Sequence, residues 1–462
     1  MTAIDVVIMA AGKGTRMKSR VPKVLHRLAG RSLLQHVLDG VAKLEARRMV
    51  VITGNGAGQV ETAVAGMRVS PSPVFARQEP QLGTGHAVQQ ALPFLPDDGL
   101  TLILNGDVPL IEAATLRSLV ETGGDALVLL TVDLADPAGY GRIVRSGAAV
   151  QGIVEHKDAS EDQRRIAEVY TGVMAVPNRR LKQWLPRLEN TNAQGEFYLT
   201  DIVKFAVADQ VAVIAVKAND PIEVEGVNSP LQLAQLERAY QLRRAKALME
   251  AGVRLADPAR LDVRGELVCG EDVEIDVGCV FEGRVRLAEG VRIGAHCVIA
   301  NADIAADAVI HPFTHIDGEQ AGVKVGEDAR IGPFARLRPG AQLGAEVHIG
   351  NFVEVKNSVL GREAKANHLA YLGDATVGER VNYGAGSITA NYDGANKHRT
   401  VIGDDVHVGS NCVLVAPVTL GEGGTVGGGS TITKDTPPGA LAVSRSRQVT
   451  IADWPRPKKA PK

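Results

Sequence analysis

At 462 residues the chain is too long for one ordinary core and calls for two or three domains. Hydrophobic residues make up 45% and charged residues 23%, the proportions of a globular protein, and a formal net charge of -2 gives no electrostatic footprint for nucleic acid or an anionic membrane. Two figures stand apart: aromatic residues are only 4% and glycines number 50, so part of the chain needs close backbone approach and little side-chain volume.

The opening MTAIDVVIMAAG lacks the basic stretch and cleavage site of a secretory signal, and no run of roughly 18 apolar residues could cross a bilayer. A cytoplasmic location is therefore expected. Residues 5–11 (DVVIMAA) form a continuous apolar run, as in a strand buried on both faces. A helix is expected over 22–44, disturbed at Gly30, then further buried strands at 49–53 (MVVIT) and 101–104 (TLIL). Strand candidates follow near 126–132, 142–145, 151–155, 169–176 and 211–217. Strands alternating with helices imply an α/β, Rossmann-like domain with a mixed, mostly parallel sheet over 1–228. Ser229 can cap, and Pro230 can open, one long connecting helix over 229–251.

The remainder, 252–462, is a repeat. Val263, Cys269, Ile275, Phe281, Leu287, Ile293 and Ile299 are each six apart; the rhythm returns at Ile310 and Ile316, runs from Val325 to Val355, and runs again from Ile402 to Ile432. Glycine follows many of these residues. A period of six fits a coil of short strands and turns, three hexads to a triangular rung, with the aliphatic residue inward and small residues at the corners. The scarcity of aromatics follows from a prism too narrow for rings. Insertions are expected at 317–324 and 384–401, where a solenoid wall builds binding sites. Cys269, Cys279, Cys297 and Cys412 lie here in no metal-binding spacing and read as reduced thiols. The basic end, 455–462, reads as frayed.

Chemistry is suggested at several strand ends. The turn Gly12-Lys13-Gly14-Thr15-Arg16 can bring backbone N–H groups against phosphate oxygens, with Arg16 and Lys23 as cations, although an ordinary βα turn has the same look. Asn105-Gly106-Asp107 follows the strand at 101–104, and a hard carboxylate there suits Mg²⁺ that borrows its other oxygens from phosphates and water. In the repeat, Arg338 and Lys356 could hold a sugar phosphate and a neutral imidazole could act as a base. The residues alone do not choose among His311, His315, His348, His368 and His407.

The ordered motifs MAAGKGTRM, PKVLH, QLGTGHA, NGDVP, GYGRI and VEHKD resemble the nucleotide-diphospho-sugar pyrophosphorylases. With the hexad repeat behind them, the whole chain resembles the bifunctional family of N-acetylglucosamine-1-phosphate uridylyltransferases / glucosamine-1-phosphate N-acetyltransferases. The resemblance implies a left-handed parallel β-helix, a homotrimer, and the substrates UTP, N-acetylglucosamine 1-phosphate, glucosamine 1-phosphate and acetyl-CoA, with Mg²⁺ on Asp107 and Asn228. It implies uridylyl-transfer contacts at Met9, Ala10, Ala11, Gly12, Lys23, Gln78, Gly83, Thr84, Asn105, Gly106, Asp107, Gly141, Glu155 and Asn228, with Arg16 and Lys23 offsetting phosphate charge. For acetyl transfer it implies His368 as base with Glu354 orienting it, substrate contacts at Arg338, Lys356, Tyr371 and Asn382, and acetyl-CoA contacts at Ala385, Asn391, Tyr392, Ser410, Gly428 and Arg445. The chain departs from the family at Tyr170, usually Asn, and that contact is not carried over. The competing expectation is a pyrophosphorylase whose β-helix only trimerises.

Overall fold

The computed structural model describes residues 2–459; residues 460–462 of the basic end lie outside the described residues, and 455–459 are exposed. The chain divides between Tyr240 and Gln241 into two compact units, each with its own core. That division falls inside one helix, Pro230–Glu250.

The first unit is built on a nine-stranded mixed sheet. Its strands are β1 (Ile4–Met9), β2 (Arg48–Thr53), β3 (Val74–Arg77), β4 (Leu100–Asn105), β5 (Leu127–Asp133), β6 (Gly141–Ser146), β7 (Ala149–Val154), β8 (Glu168–Pro177) and β9 (Val213–Lys217). The order is β9-β5-β8-β4-β1-β2-β3, with the hairpin β6–β7 attached to β8. β1 lies parallel between β2 and β4, whereas β8 runs antiparallel to β4 and β5. Val6, Val7 and Ile8 are fully buried, as a central strand covered on both faces requires. The register sets Met9 level with Asn105, so the turns that follow these two strands emerge side by side.

The helix expected over 22–44 forms only in its second half. Arg27–Leu28 and Arg31–Ser32 pair as a small hairpin whose turn residues, Ala29 and Gly30, have φ of 49° and 81°, and two successive positive φ angles cannot belong to a right-handed helix. The helix starts at Leu33, where the Ser32 hydroxyl accepts from the Gln35 N–H at 3.1 Å, and ends at Val41.

The second unit is a left-handed parallel β-helix of short strands on three faces, stacked in register along its length. Ile275 pairs with Ile293, eighteen residues on, so three hexads make one coil. The inward column is continuous from Val263 to Ile432 and nearly inaccessible. It does not stop between Val355 and Ile402: Leu360, Ala366, Leu372, Val377, Tyr383 and Thr389 carry it through, all buried. Two five-residue steps, Val355 to Leu360 and Leu372 to Val377, shift the phase there. The long insertion is correspondingly shorter than 384–401, because Ile388–Ala390 is a strand of the coil. Rings do fit inside: Phe281 is 1% and Tyr383 2% exposed.

The glycines act differently from the expectation that they turn the corners. Corner residues with positive φ are mostly not glycine: Asp307, Asp328, Glu346, Phe334 and Phe352 have φ of 55–58°. Glycines directly after the inward residue instead permit coils to stack. A Cβ on Gly326 would lie 2.4 Å from the Gly344 backbone, and one on Gly350 would lie 1.9 Å from the Asn367 carbonyl oxygen.

Candidate functional site

In the first unit, the ends of β1, β4, β7 and β8 surround a cavity of about 730 Å³. Met9, Ala10, Ala11 and Gly12 form one wall, Gln78, Gly83 and Thr84 a second, and Gly141 and Glu155 a third. Arg16, Lys23, Asn105, Asp107 and Asn228 face the same space. Gly106 does not line it; its N–H bonds the Met9 carbonyl at 2.9 Å and a Cβ there would press on Met9, Leu34 and Val24.

At the cavity's charged end, the Lys23 ammonium donates to Asp107 Oδ2 and, at 3.0 Å, to Asn228 Oδ1, while the Arg16 guanidinium donates to Asn228 Oδ1 at 2.8 Å. The 107 and 228 segments are tied by Val227 N–H to the Asp107 carbonyl at 2.9 Å, and Gln232 accepts from the Asn228 N–H at 2.8 Å. A carboxylate oxygen and a carboxamide oxygen therefore converge on one cation. This donor set fits Mg²⁺, which prefers hard oxygens and keeps several positions for phosphate and water. Among the described residues no cluster of three or more His, Cys, Asp or Glu side chains could hold a metal unaided.

At the other end, burial raises the Glu155 carboxyl above its ordinary pKa, against a hydrogen bond of 2.9 Å from the Thr200 hydroxyl. Tyr170 lies in this wall, and burial holds its phenol well above its ordinary pKa. The hydroxyl finds no partner among the described residues. Two expected contacts also serve the walls themselves: Gln78 donates to the Gly83 carbonyl at 2.8 Å, and the Thr84 hydroxyl accepts the Leu199 N–H at 3.0 Å. Sequence reading missed Thr200 and Gln232, which no motif marks and which meet Glu155 and Asn228 only in the fold.

In the second unit, one corner of the prism carries a line of equivalent positions. Asn351, His368, Ala385, Ser410 and Gly428 each precede the corner residue of successive coils: Phe352, Leu369, Gly386, Asn411 and Gly429. Arg445 donates to the Gly428 carbonyl at 2.7 Å and closes the line. Below it the same corner stacks His296, Phe313, Phe334 and Phe352 at ring separations of 5.1–5.4 Å, with Phe352 57% and Leu369 62% exposed. A groove of about 490 Å³ beside these rings is lined by Asn351 and His368.

Arg338, Lys356 and Tyr371 lie on the next face, with Tyr371 in register with Glu354. Asn382 lies on the face before the corner, in register with Lys365, and belongs to neither row. Glu354 does not orient His368: it accepts from Arg338 at 2.8 Å, a bond that raises the guanidinium's pKa, and pairs with Arg336. The Lys397 ammonium beside Lys356 is the main cause lowering the pKa of Lys356, followed by burial. Two ammonium groups held together offer a site to an anion, and Lys397 is a residue that sequence reading missed. The insertion that brings it there is closed by a bridge between Tyr392 and Lys397 and by Asp393, which accepts from the N–H groups of Asn396 and Ala395 and from His398. Asn391 spends its carboxamide N–H on Asp374, and the Tyr392 hydroxyl donates to Gly394 at 2.7 Å. The Asn391 carbonyl in turn accepts from the His398 N–H at 2.8 Å, so both groups are committed within the insertion.

The family described as a MobA-like NTP transferase domain matches residues 6–172, and the one described as bacterial transferase hexapeptide (six repeats) matches 322–357 and 399–434. Over its length the chain is similar to the bifunctional protein GlmU of Albidiferax ferrireducens, at 70% identity covering 99% of this chain and 100% of the relative. It is 72% identical to the protein of that name from Polaromonas naphthalenivorans, covering 99% and 98%. The counterpart from Paracidovorax citrulli is 71% identical, with 100% of both chains covered.

Proposed function

The chain belongs to the family of bifunctional GlmU proteins, and from that premise we propose how its residues divide the work. The enzyme acetylates glucosamine 1-phosphate from acetyl-CoA and transfers UMP from UTP to N-acetylglucosamine 1-phosphate, giving pyrophosphate and UDP-N-acetylglucosamine for cell-wall synthesis. Residues 1–228 are assigned the second reaction and 252–462 the first, with 229–251 between them.

In uridylyl transfer, an oxygen of the sugar phosphate attacks the α-phosphorus of UTP, that P–O bond forms, and the bond to pyrophosphate breaks. The strand-end turn at Gly12 presents backbone N–H groups to the triphosphate, and Arg16 and Lys23 offset charge on the transferring and leaving oxygens. Gln78, Gly83 and Thr84 border the base, and Gly141 and Glu155 the sugar. Asp107 and Asn228 would hold Mg²⁺, which when bound polarises phosphoryl oxygens as a Lewis acid. The observation that carries this assignment is the convergence of the Asp107 and Asn228 oxygens on a single cation.

In acetyl transfer, His368 takes a proton from the substrate ammonium. The amine then attacks the thioester carbonyl, a C–N bond forms, and the C–S bond breaks to release CoA. Arg338, Lys356 and Lys397 would hold the sugar phosphate, with Tyr371 bordering the sugar. Ala385, Asn391, Tyr392, Ser410, Gly428 and Arg445 border acetyl-CoA. A homotrimer is supported by the exposed ring ladder, since a row of apolar rings in water favours a covering surface. No helix among the described residues is long and apolar enough to cross a membrane, and the assigned substrates are those of the cytoplasm.

Crossed variants test the division. Asp107→Ala should abolish UDP-sugar formation and leave CoA release from acetyl-CoA and glucosamine 1-phosphate near wild type; His368→Ala should do the reverse. Normal uridylyl transfer by Asp107→Ala would remove the metal assignment, and near-normal acetyl transfer by His368→Ala would remove the base.

A further inference from the structure

We infer that Asn351 is the positioning residue for His368, fixing its tautomer so that Nε2 is the basic nitrogen. The inference rests on the reading of His368 as the acetyl-transfer base. His368 Nδ1 lies 2.8 Å from Asn351 Oδ1. A carboxamide oxygen can only accept, so the shared proton sits on Nδ1, and Nε2 keeps its lone pair. Neutral imidazole left to water has no such constraint, so the contact selects the productive form before substrate arrives.

The coil geometry accounts for the pairing. Eighteen residues after Asn351 comes Leu369, and a regular coil of three hexads would set that residue above it. The five-residue step between Val355 and Leu360 shortens this coil to seventeen, so Ile349 pairs with Ala366 and Asn351 with His368. One deletion in the rhythm thus exchanges an apolar corner for an imidazole over an amide. Rigidity comes from below: Asn351 ends the strand His348–Asn351, the Leu369 N–H donates to the Asn351 carbonyl at 3.1 Å, and Gly350 has no room for a side chain against Asn367. Asn351 and His368 both line the groove of about 490 Å³, so the pair faces open space rather than the core. Nearby, burial holds His348 below its ordinary pKa, with Arg330, His311 and Lys365 adding to the effect.

The test uses the full-length protein, with ¹⁵N-labelled histidine and His368→Ala to assign the resonance. In wild type, neutral His368 should carry its proton on Nδ1. In Asn351→Ala the signal should move to the Nε2–H form or to a mixture. The acetyl-transfer kcat should fall roughly 10–100-fold, by analogy with metal-bound histidines that lose the hydrogen-bond partner fixing their tautomer, with both KM values within about twofold and uridylyl transfer unchanged. Asn351→Asp keeps an acceptor and should restore the tautomer and most of the rate. A wild-type Nε2–H signal, or an Asn351→Ala enzyme with unaltered kcat, overturns the inference. Acetyl transfer surviving His368→Ala overturns the base assignment instead, and the two failures read separately.

Discussion

A single half-buried carboxyl shows how function opposes stability at the front cavity. Glu155 is desolvated, so its folded pKa lies above that of an exposed glutamate, near 4.3. Below that unfolded value the group is protonated in both states and burial costs no charge. As pH rises through the folded pKa, the native state must bury an ionised carboxylate, and stability is lost. Glu155→Gln should therefore raise the melting temperature at about pH 7.5 and leave it unchanged at about pH 4. If Glu155 borders the sugar, the same change should raise the KM for N-acetylglucosamine 1-phosphate and spare that for UTP. An equal gain at both pH values would mean packing, not charge, had changed. The residue scale is also where sequence reading was weakest. Glu354 was expected from the family resemblance to orient His368, but its carboxylate is committed to Arg338. Asn351 carried no signal, because a partner seventeen residues away becomes visible only when the coil length is known. Tyr170 stood out as a departure from the family pattern, whereas its orphaned hydroxyl is a property of the fold.

Elements were legible wherever a run had one period. The apolar runs at 5–11, 49–53 and 101–104 coincide with β1, β2 and β4, since a strand buried on both faces leaves an unbroken apolar stretch. The hairpin before Leu33 was hidden because helix-forming residues surround its turn, and the positive φ at Ala29 has no sequence mark. Between Val355 and Ile402 the repeat was lost for two reasons: five-residue steps broke the count, and Ala366, Tyr383 and Thr389 are not aliphatic of the usual size. The glycines, read as corner formers, are mainly spacers between coils. Substitution should sort them accordingly. Gly350→Ala places a methyl 1.9 Å from the Asn367 carbonyl oxygen and should cost about 1–3 kcal/mol as overpacking, lowering the melting transition of the second unit. Gly428→Ala meets nothing nearer than the Ser410 carbonyl oxygen at 3.4 Å and should stay within about 0.5 kcal/mol, with acetyl transfer retained. Calorimetry on both variants decides it, and equal losses would mean that coil spacing is not what these glycines provide.

For the molecule as a whole, two cores on one chain predict two separable dependences on metal. At the charged end of the front cavity Asp107 and Asn228 each turn one oxygen to the shared cation, which is too few to keep a divalent ion without phosphate oxygens and water. Ion binding there should therefore strengthen when nucleotide is present, and a chelator should compete readily for it. The acetyl-transfer assignment uses an imidazole and three cationic side chains, all supplied by the chain. In a single reaction containing glucosamine 1-phosphate, acetyl-CoA, UTP and Mg²⁺, CoA release should precede UDP-N-acetylglucosamine, because the acetylated sugar is the acceptor for UMP. Excess EDTA should then stop UDP-sugar formation while CoA release continues and N-acetylglucosamine 1-phosphate accumulates. Added Mg²⁺ should consume that pool without a new burst of CoA. Parallel loss of both products on chelation would show that the second unit shares the metal requirement, and its assignment to side chains alone would have to be given up.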